Sequence, residues 1–342
     1  MILPAAVAAA MFVGVLAYAL LGGADFGAGF YDLTAGSATG GAALRALLDQ
    51  SIGPVWEANH VWLIYIVVVW WTGFPTAFAA ATTTLFIPLA LALAGIVLRG
   101  ASFAFREYAA TVAQARLFGA LFAGTSLITP FFLGTVAGAL ASGRVPAGGY
   151  GPLVGSWVNP TSLTGGALAV ATCVFLAGVY LTADASRAGL AHLADQLRRR
   201  TLGAGIVAGL IVFAGLFPVL HDAPTLSHGL LGRGLPLLII AAAAGVFTLV
   251  MLYRRTYGPA RISAAVAVAA VAAGWGVGQY PWMLVDHMTI QAAAGAKATL
   301  QALLVVVAVA AVVVLPALGY LLWFTQNTKS NLLQRNSAVH SA

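Results

Sequence analysis

Charge is the first thing this sequence lacks. Its 342 residues hold 16 lysines and arginines and nine aspartates and glutamates, 7% together, while 61% are hydrophobic. A soluble domain carries about 25% charged residues and roughly 45–50% apolar ones. A core of ordinary size could not hide so much apolar surface, which excludes a soluble or disordered chain and points to membrane spans. Cysteine occurs once, as Cys173. An intrachain disulfide, a multi-cysteine metal motif and a CxxCH haem attachment are therefore excluded. No base precedes the first hydrophobic run, so that run reads as a retained helix and not a cleaved leader. Low-complexity linkers and soluble inserts are absent as well; the connections reach about 20–30 residues at most.

What is present is a series of uncharged runs of the length a hydrocarbon core requires, about 20 residues per helix. They cover 1–24, 61–98, 117–143, 161–183, 201–220, 234–253, 262–285 and 298–328. The second is long enough for two spans hinged near Gly73-Phe74-Pro75, giving nine. The expected fold is an all-α integral membrane protein, one membrane domain over 1–342. Thirteen of the 16 bases follow the odd-numbered spans, and only Arg144, Arg233 and Lys297 follow the even ones. Basic segments stay in the cytoplasm, so the N-terminus is expected outside and the C-terminus inside. The net charge of +7 is then a topology signal; Arg198–Arg200 read as an inner anchor, and nucleic acid is not an expected partner. Trp70, Trp71, Trp157, Trp282 and Trp323 fall near span ends, as an interfacial aromatic belt would.

The few ionisable residues can be taken singly. Glu107, Asp184, Asp195, Asp222, His192, His221, His228 and His340 read as solvated loop residues, and Asp286-His287 as an exposed outer turn. Asp25 is expected at the inner end of span one, just before a Gly/Ser/Thr-rich loop of about Phe26–Gly53. Glu57 is expected one turn into span two, behind Pro54, which suits a first helical turn, and near the positive end of the helix dipole. Helical spacing sets Glu57 and His60 on one face and Trp56 beside His60, with Asn59 between. A carboxylate, an imidazole and an amide within two turns form a candidate proton-handling group; hydrated caps at the membrane edge are the alternative reading. No second axial ligand at matching depth accompanies His60, so no haem or metal ligand is assigned in this chain. Arg99 and Arg106 are spaced i, i+7 on the inner extension of span three, as anchors or as structural or partner contacts.

Several segments resemble subunit II of cytochrome bd-type quinol oxidases. Gly53–Ile64, GPVWEANHVWLI, resembles the opening of the family's second span. Ala24–Gly29, ADFGAG, resembles the end of its first, and Phe74-Pro75 the hairpin after its second. Arg99-Gly100 through Phe105-Arg106 resembles an RGxxFxxR-like stretch; Asn159-Pro160, Tyr280-Pro281 and Met288–Leu300 match later landmarks in order. The resemblance implies two four-helix bundles, about 1–143 and 144–285, plus a peripheral ninth helix at about 298–328. It implies a heterodimer with a homologous subunit I that carries haems b and d, oxidises ubiquinol or menaquinol and reduces O2 to water. The gradient then arises from protons drawn from the cytoplasm, without pumping. By the same resemblance, Glu57, Asp25, His60 and Asn59 are proton-path candidates, and Trp56 and Trp62 line O2 access or pack against the partner. A structural quinone and a small accessory subunit can accompany the family in the bilayer. Two positions depart from it: Gly22 and Ala104 stand where many members carry acids. Two other classes compete. A proton-coupled secondary transporter would place charges at the midplane in two matching halves, and an autonomous haem enzyme would need an axial pair.

Overall fold

The computed structural model describes residues 2–37, 39–52, 56–108 and 111–340; the side chains at 52, 56, 57, 107, 112, 315 and 321–340 lie outside that description. In hydrocarbon each backbone N–H and C=O must be satisfied within its own segment, so the apolar runs fold as helices. The first helix runs as α1 (Ile2–Ala17), a π-helical turn (Tyr18–Gly22) and α2 (Gly23–Leu33). Then come α3 (Ala42–Ile52), α4 (Trp56–Gly73), α5 (Pro75–Thr84), α6 (Phe86–Glu107) and α7 (Val112–Ala141). The rest comprises α8 (Pro160–Arg187), α9 (Ala191–Asp222), α10 (Pro224–Leu231), α11 (Leu235–Tyr253) and α12 (Tyr257–Gln279). A two-stranded antiparallel hairpin, β1 (Trp282–Leu284) and β2 (Met288–Thr289), leads through α13 (Ile290–Ala293) to α14 (Lys297–His340). Among the described residues eight helices are long and apolar enough to cross a membrane, and a ninth crossing results if α4 and α5 count as one bent span.

Four expectations are corrected. The first helix does not end at Ala24 but runs to Leu33, and much of the expected 26–53 loop is helical. Asp25 and Asp32 are partnered inside the protein, so they do not terminate it. The 61–98 run breaks at Phe74 as expected, but the chain bends by 118° into α5 before α6 begins at Phe86. That extra segment moves Arg99 from an inner extension to the interior of α6. The helix expected to reach Val285 stops at Gln279, because Pro281 has no N–H and holds Tyr280 extended (φ −57°, ψ 139°). Finally, Asp184, Asp195 and Asp222 are not loop residues: they sit in α8 and α9 and are paired with arginines.

α8 is the axis of the molecule, packed against α2, α7, α9 and α12. Asn159 starts it, its Oδ1 accepting the Ser162 N–H at 2.9 Å, with Pro160 at the first helical position. Small residues let its neighbours approach: a Cβ on Gly134 of α7 would lie 2.4 Å from the Gly165 carbonyl oxygen of α8. Polar pins gather at the two ends. At one end Arg261 and Ser51 reach Asp184, Arg255 reaches Asp195, and Arg200 donates to the Thr34 carbonyl. At the other, Arg144 pairs with Asp222, Thr225 donates to Asp286 at 2.8 Å, and His287 lies 3.0 Å from the Gly143 carbonyl.

Candidate functional site

The site forms where the first helix changes pitch. In the π-helical turn the Gly23 N–H donates to Tyr18 five residues back, a distortion often found at functional sites. Asn59 of α4 lies against this segment: its Nδ2 donates to the Leu21 carbonyl at 3.3 Å and also to Oδ2 of Asp25. Asp25 is 6% exposed and Asn59 7%. Arg99 of α6, 1% exposed, faces the same turn. Its Nη2 donates to the Asp25 backbone carbonyl at 3.1 Å and its Nε to Ser126 Oγ at 3.0 Å. The guanidinium also lies over Phe26 and Phe122, 4.9 and 5.0 Å from the ring centres, positions in which an aromatic face attracts a cation. Arg99 thus places a positive charge beside Asp25 while bonding its backbone, and the carboxylate takes a neutral amide as donor.

Seven residues further along both helices the pairing recurs. Asp32, 7% exposed, accepts from Arg106 Nη1 and from Arg45 Nε, each at 3.1 Å. Arg45 continues to the Gly36 and Ser37 carbonyls at 2.9 and 3.0 Å, tying down the turn between α2 and α3. Asp25 with Arg99, and Asp32 with Arg106, are each 74 positions apart, so α2 and α6 run parallel in register.

The glycines of ADFGAG serve contact between helices. A Cβ on Gly27 would lie 1.9 Å from the Cys173 carbonyl oxygen of α8, and one on Gly29 2.3 Å from Ser126 Cβ of α7. They let α2 pack closely on α7 and α8.

The structure therefore brings Asp25, Asn59 and Arg99 together. His60 is half-buried beside them, its ring centre 6.2 Å from Tyr18 and 6.1 Å from Phe26. Arg106 belongs to the second rung, a structural contact with Asp32. Trp62 is half-buried beside Tyr65 and packs on the cluster of Tyr18, Phe26 and Cys173. Glu57 and Trp56 begin α4, and their side chains lie outside the described residues. Ala104 is exposed on α6, so the departure there lies on an outer face. At Gly22 a Cβ would come 2.8 Å from the Tyr18 ring, which occupies the space a side chain would take.

Reading the sequence missed Asp32, Arg45 as its partner, Ser126 and Tyr18. A signal for Asp32 existed: Asp25 and Asp32 repeat the seven-residue spacing of Arg99 and Arg106. Ionisable residues inside membrane helices are costly and generally functional. A buried carboxylate with one neutral donor, beside a fixed cation and near an imidazole, is a group that can take up and release a proton.

Comparisons with known proteins agree in direction. Cytochrome bd ubiquinol oxidase subunit 2 of Bacillus subtilis (strain 168) is 28% identical over 211 residues, 61% of this chain and 60% of that protein. The match therefore spans about three fifths of the relative's length. A chain in the solved structure of bd oxidase from Geobacillus thermodenitrificans shares the fold, with a TM-score of 0.77 at 23% identity, covering 94% of this chain and 98% of that one. Residues 3–325 match the family described as cytochrome bd terminal oxidase subunit II. A multi-pass membrane protein, the chain belongs to the cytochrome bd terminal oxidase subunit II family.

Proposed function

We propose that this chain is the haem-free half of a quinol:O2 oxidoreductase and that it opens a cytoplasmic proton route at Asp25. It pairs with a haem-bearing subunit I, which oxidises quinol and reduces O2 to water. The observation that carries the proton role is the Asp25–Asn59 contact, buried in the first helix beside Arg99. Reducing O2 to water consumes protons, and a titrating carboxylate held away from lipid can supply them. Glu57 stands two residues before Asn59 at the start of α4 and is the candidate receiving group by its place in the chain, and His60 flanks the path.

Sidedness follows from the bases. The end of the bundle holding Arg45, Arg106, Arg198–Arg200, Arg255 and Arg261 faces the cytoplasm, and Arg144 and Arg233 face outside. The N-terminus is then outside and the C-terminus inside. α4 and α5 form one bent crossing, giving nine, grouped as two four-helix bundles with α14 peripheral.

The haems belong to the partner in this reading. His192, His221, His228 and His287 are exposed at the helix ends and turns, while His60 is wedged between the Tyr18 and Phe26 rings. Among the described residues, neither placement brings two of these imidazoles together as an axial pair. The test is purification of the chain alone and with the second membrane polypeptide that accompanies it. Alone, the chain should carry no stoichiometric haem; together, the two should contain haem and consume O2 with quinol as donor. A reproducible haem spectrum from the isolated chain would overturn the assignment.

A further inference from the structure

Three side chains line the first helix at seven-residue intervals: Asp32, Asp25 and Tyr18. All are buried, at 7%, 6% and 9% exposure. A helix rises 1.5 Å per residue, so each interval is about 10 Å. Asp32 is taken by two arginines and Asp25 by Asn59. Tyr18 differs. Its hydroxyl is enclosed by protein and meets no hydrogen-bond partner among the described residues. Tyr31, also buried, lies 3.4 Å from Thr201 Oγ1, and half-buried Tyr65 donates to the Ala10 carbonyl at 2.9 Å.

A buried phenol without a partner is unfavourable, and the large majority of buried side-chain polar atoms find one in protein or ordered water. Tyr18 lies in the π-helical turn, where Gly22 leaves room for its ring. Its ring centre is 6.1 Å from Phe26 and 6.2 Å from His60, the residues that follow Asp25 and Asn59 of the buried pair in the chain. Trp62, Leu63, Ile66, Ile96 and Leu133 close the apolar side. The ring therefore borders both His60 and an apolar wall.

We propose that the Tyr18 hydroxyl holds internal water and carries the proton route one step past Asp25, into the membrane. The transfer leaves the phenol neutral. Its oxygen accepts a proton from water on the Asp25 side while its own O–H proton passes to water beyond, and rotation of the hydroxyl resets it. This extends the proton-access reading and rests on it.

Tyr18→Phe in the assembled oxidase removes one oxygen and keeps the ring. The expected result is quinol-driven O2 uptake per haem lowered about tenfold, with a larger solvent deuterium effect and an altered pH profile, at unchanged haem content. Site-specific 3-fluorotyrosine at position 18 keeps the hydroxyl and should retain most of the wild-type rate at unchanged haem content. If the hydroxyl merely sits unpaired, Tyr18→Phe should keep the wild-type rate, isotope effect and pH profile, and melt at a higher temperature; that result overturns the proposal. Asp25→Asn, measured alongside, separates the two failures. A slow Asp25→Asn with a wild-type Tyr18→Phe refutes only the Tyr18 step, whereas wild-type rates in both refute the proton-access reading and the extension with it.

Discussion

Asp32 makes the strongest demand on the structure, because one carboxylate neutralises two guanidiniums from separate elements. Asp32→Asn keeps the shape but removes the charge and replaces one acceptor by an NH2 group. Arg45 and Arg106, 3.1 Å from the original oxygens, would then face each other across a neutral amide. Breaking a buried ion pair costs about 3–5 kcal/mol. The Arg45 and Arg106 side chains are 25% and 22% exposed, so water recovers part of this, leaving about 2–3 kcal/mol. Because Arg45 also holds the Gly36 and Ser37 carbonyls, the loss falls on the turn before α3. Local opening should rise about 30- to 140-fold, at 1.4 kcal/mol per tenfold. Trypsin acting after Arg45 reads that opening directly when closing is faster than cleavage. Arg106→Gln, which leaves Asp32 with Arg45, should give a smaller increase. Cleavage in Asp32→Asn at the wild-type rate would refute the clamp.

Gly27→Ala should lower the melting temperature of the protein, since a methyl 1.9 Å from the Cys173 carbonyl forces α2 and α8 apart; overpacking of this kind costs about 1–3 kcal/mol. Gly119→Ala, with open space at its Cβ, should be neutral or slightly stabilising in the same thermal assay. Reporter fusions after Lys329 and within the connection 144–160 should report opposite sides of the membrane, the first cytoplasmic; same-side signals would refute the topology.

Much of the fold was legible because apolar length and the break at Phe74-Pro75 are sequence properties. Asp25, Asn59 and His60 were also legible, as rare polar residues in otherwise apolar helices. Arg99 was found but placed too near the surface: hydropathy alone does not show that α5 folds aside at 118° and delays the start of α6. The same reasoning cut the first helix short at Asp25, since a charge ordinarily ends a span, and so Asp32 fell within an expected loop. Their internal partners lie 13 to 74 residues away, on other helices. Such pairings depend on packing, which local periodicity does not encode. The seven-residue repeat shared by the two acids and the two arginines was the one local trace of it.

The central claim is that Asp25 handles protons and is not a structural plug for Arg99. Asp25→Asn is the direct test, because Arg99 bonds the backbone carbonyl of residue 25 and would keep that contact. Quinol-driven O2 consumption should be measured per haem in the assembled complex. Positioned proton transfer contributes about 10²-fold or more, so the account predicts a normalised rate lowered by that order with haem content retained. A wild-type rate per haem, whatever the yield of complex, would contradict it.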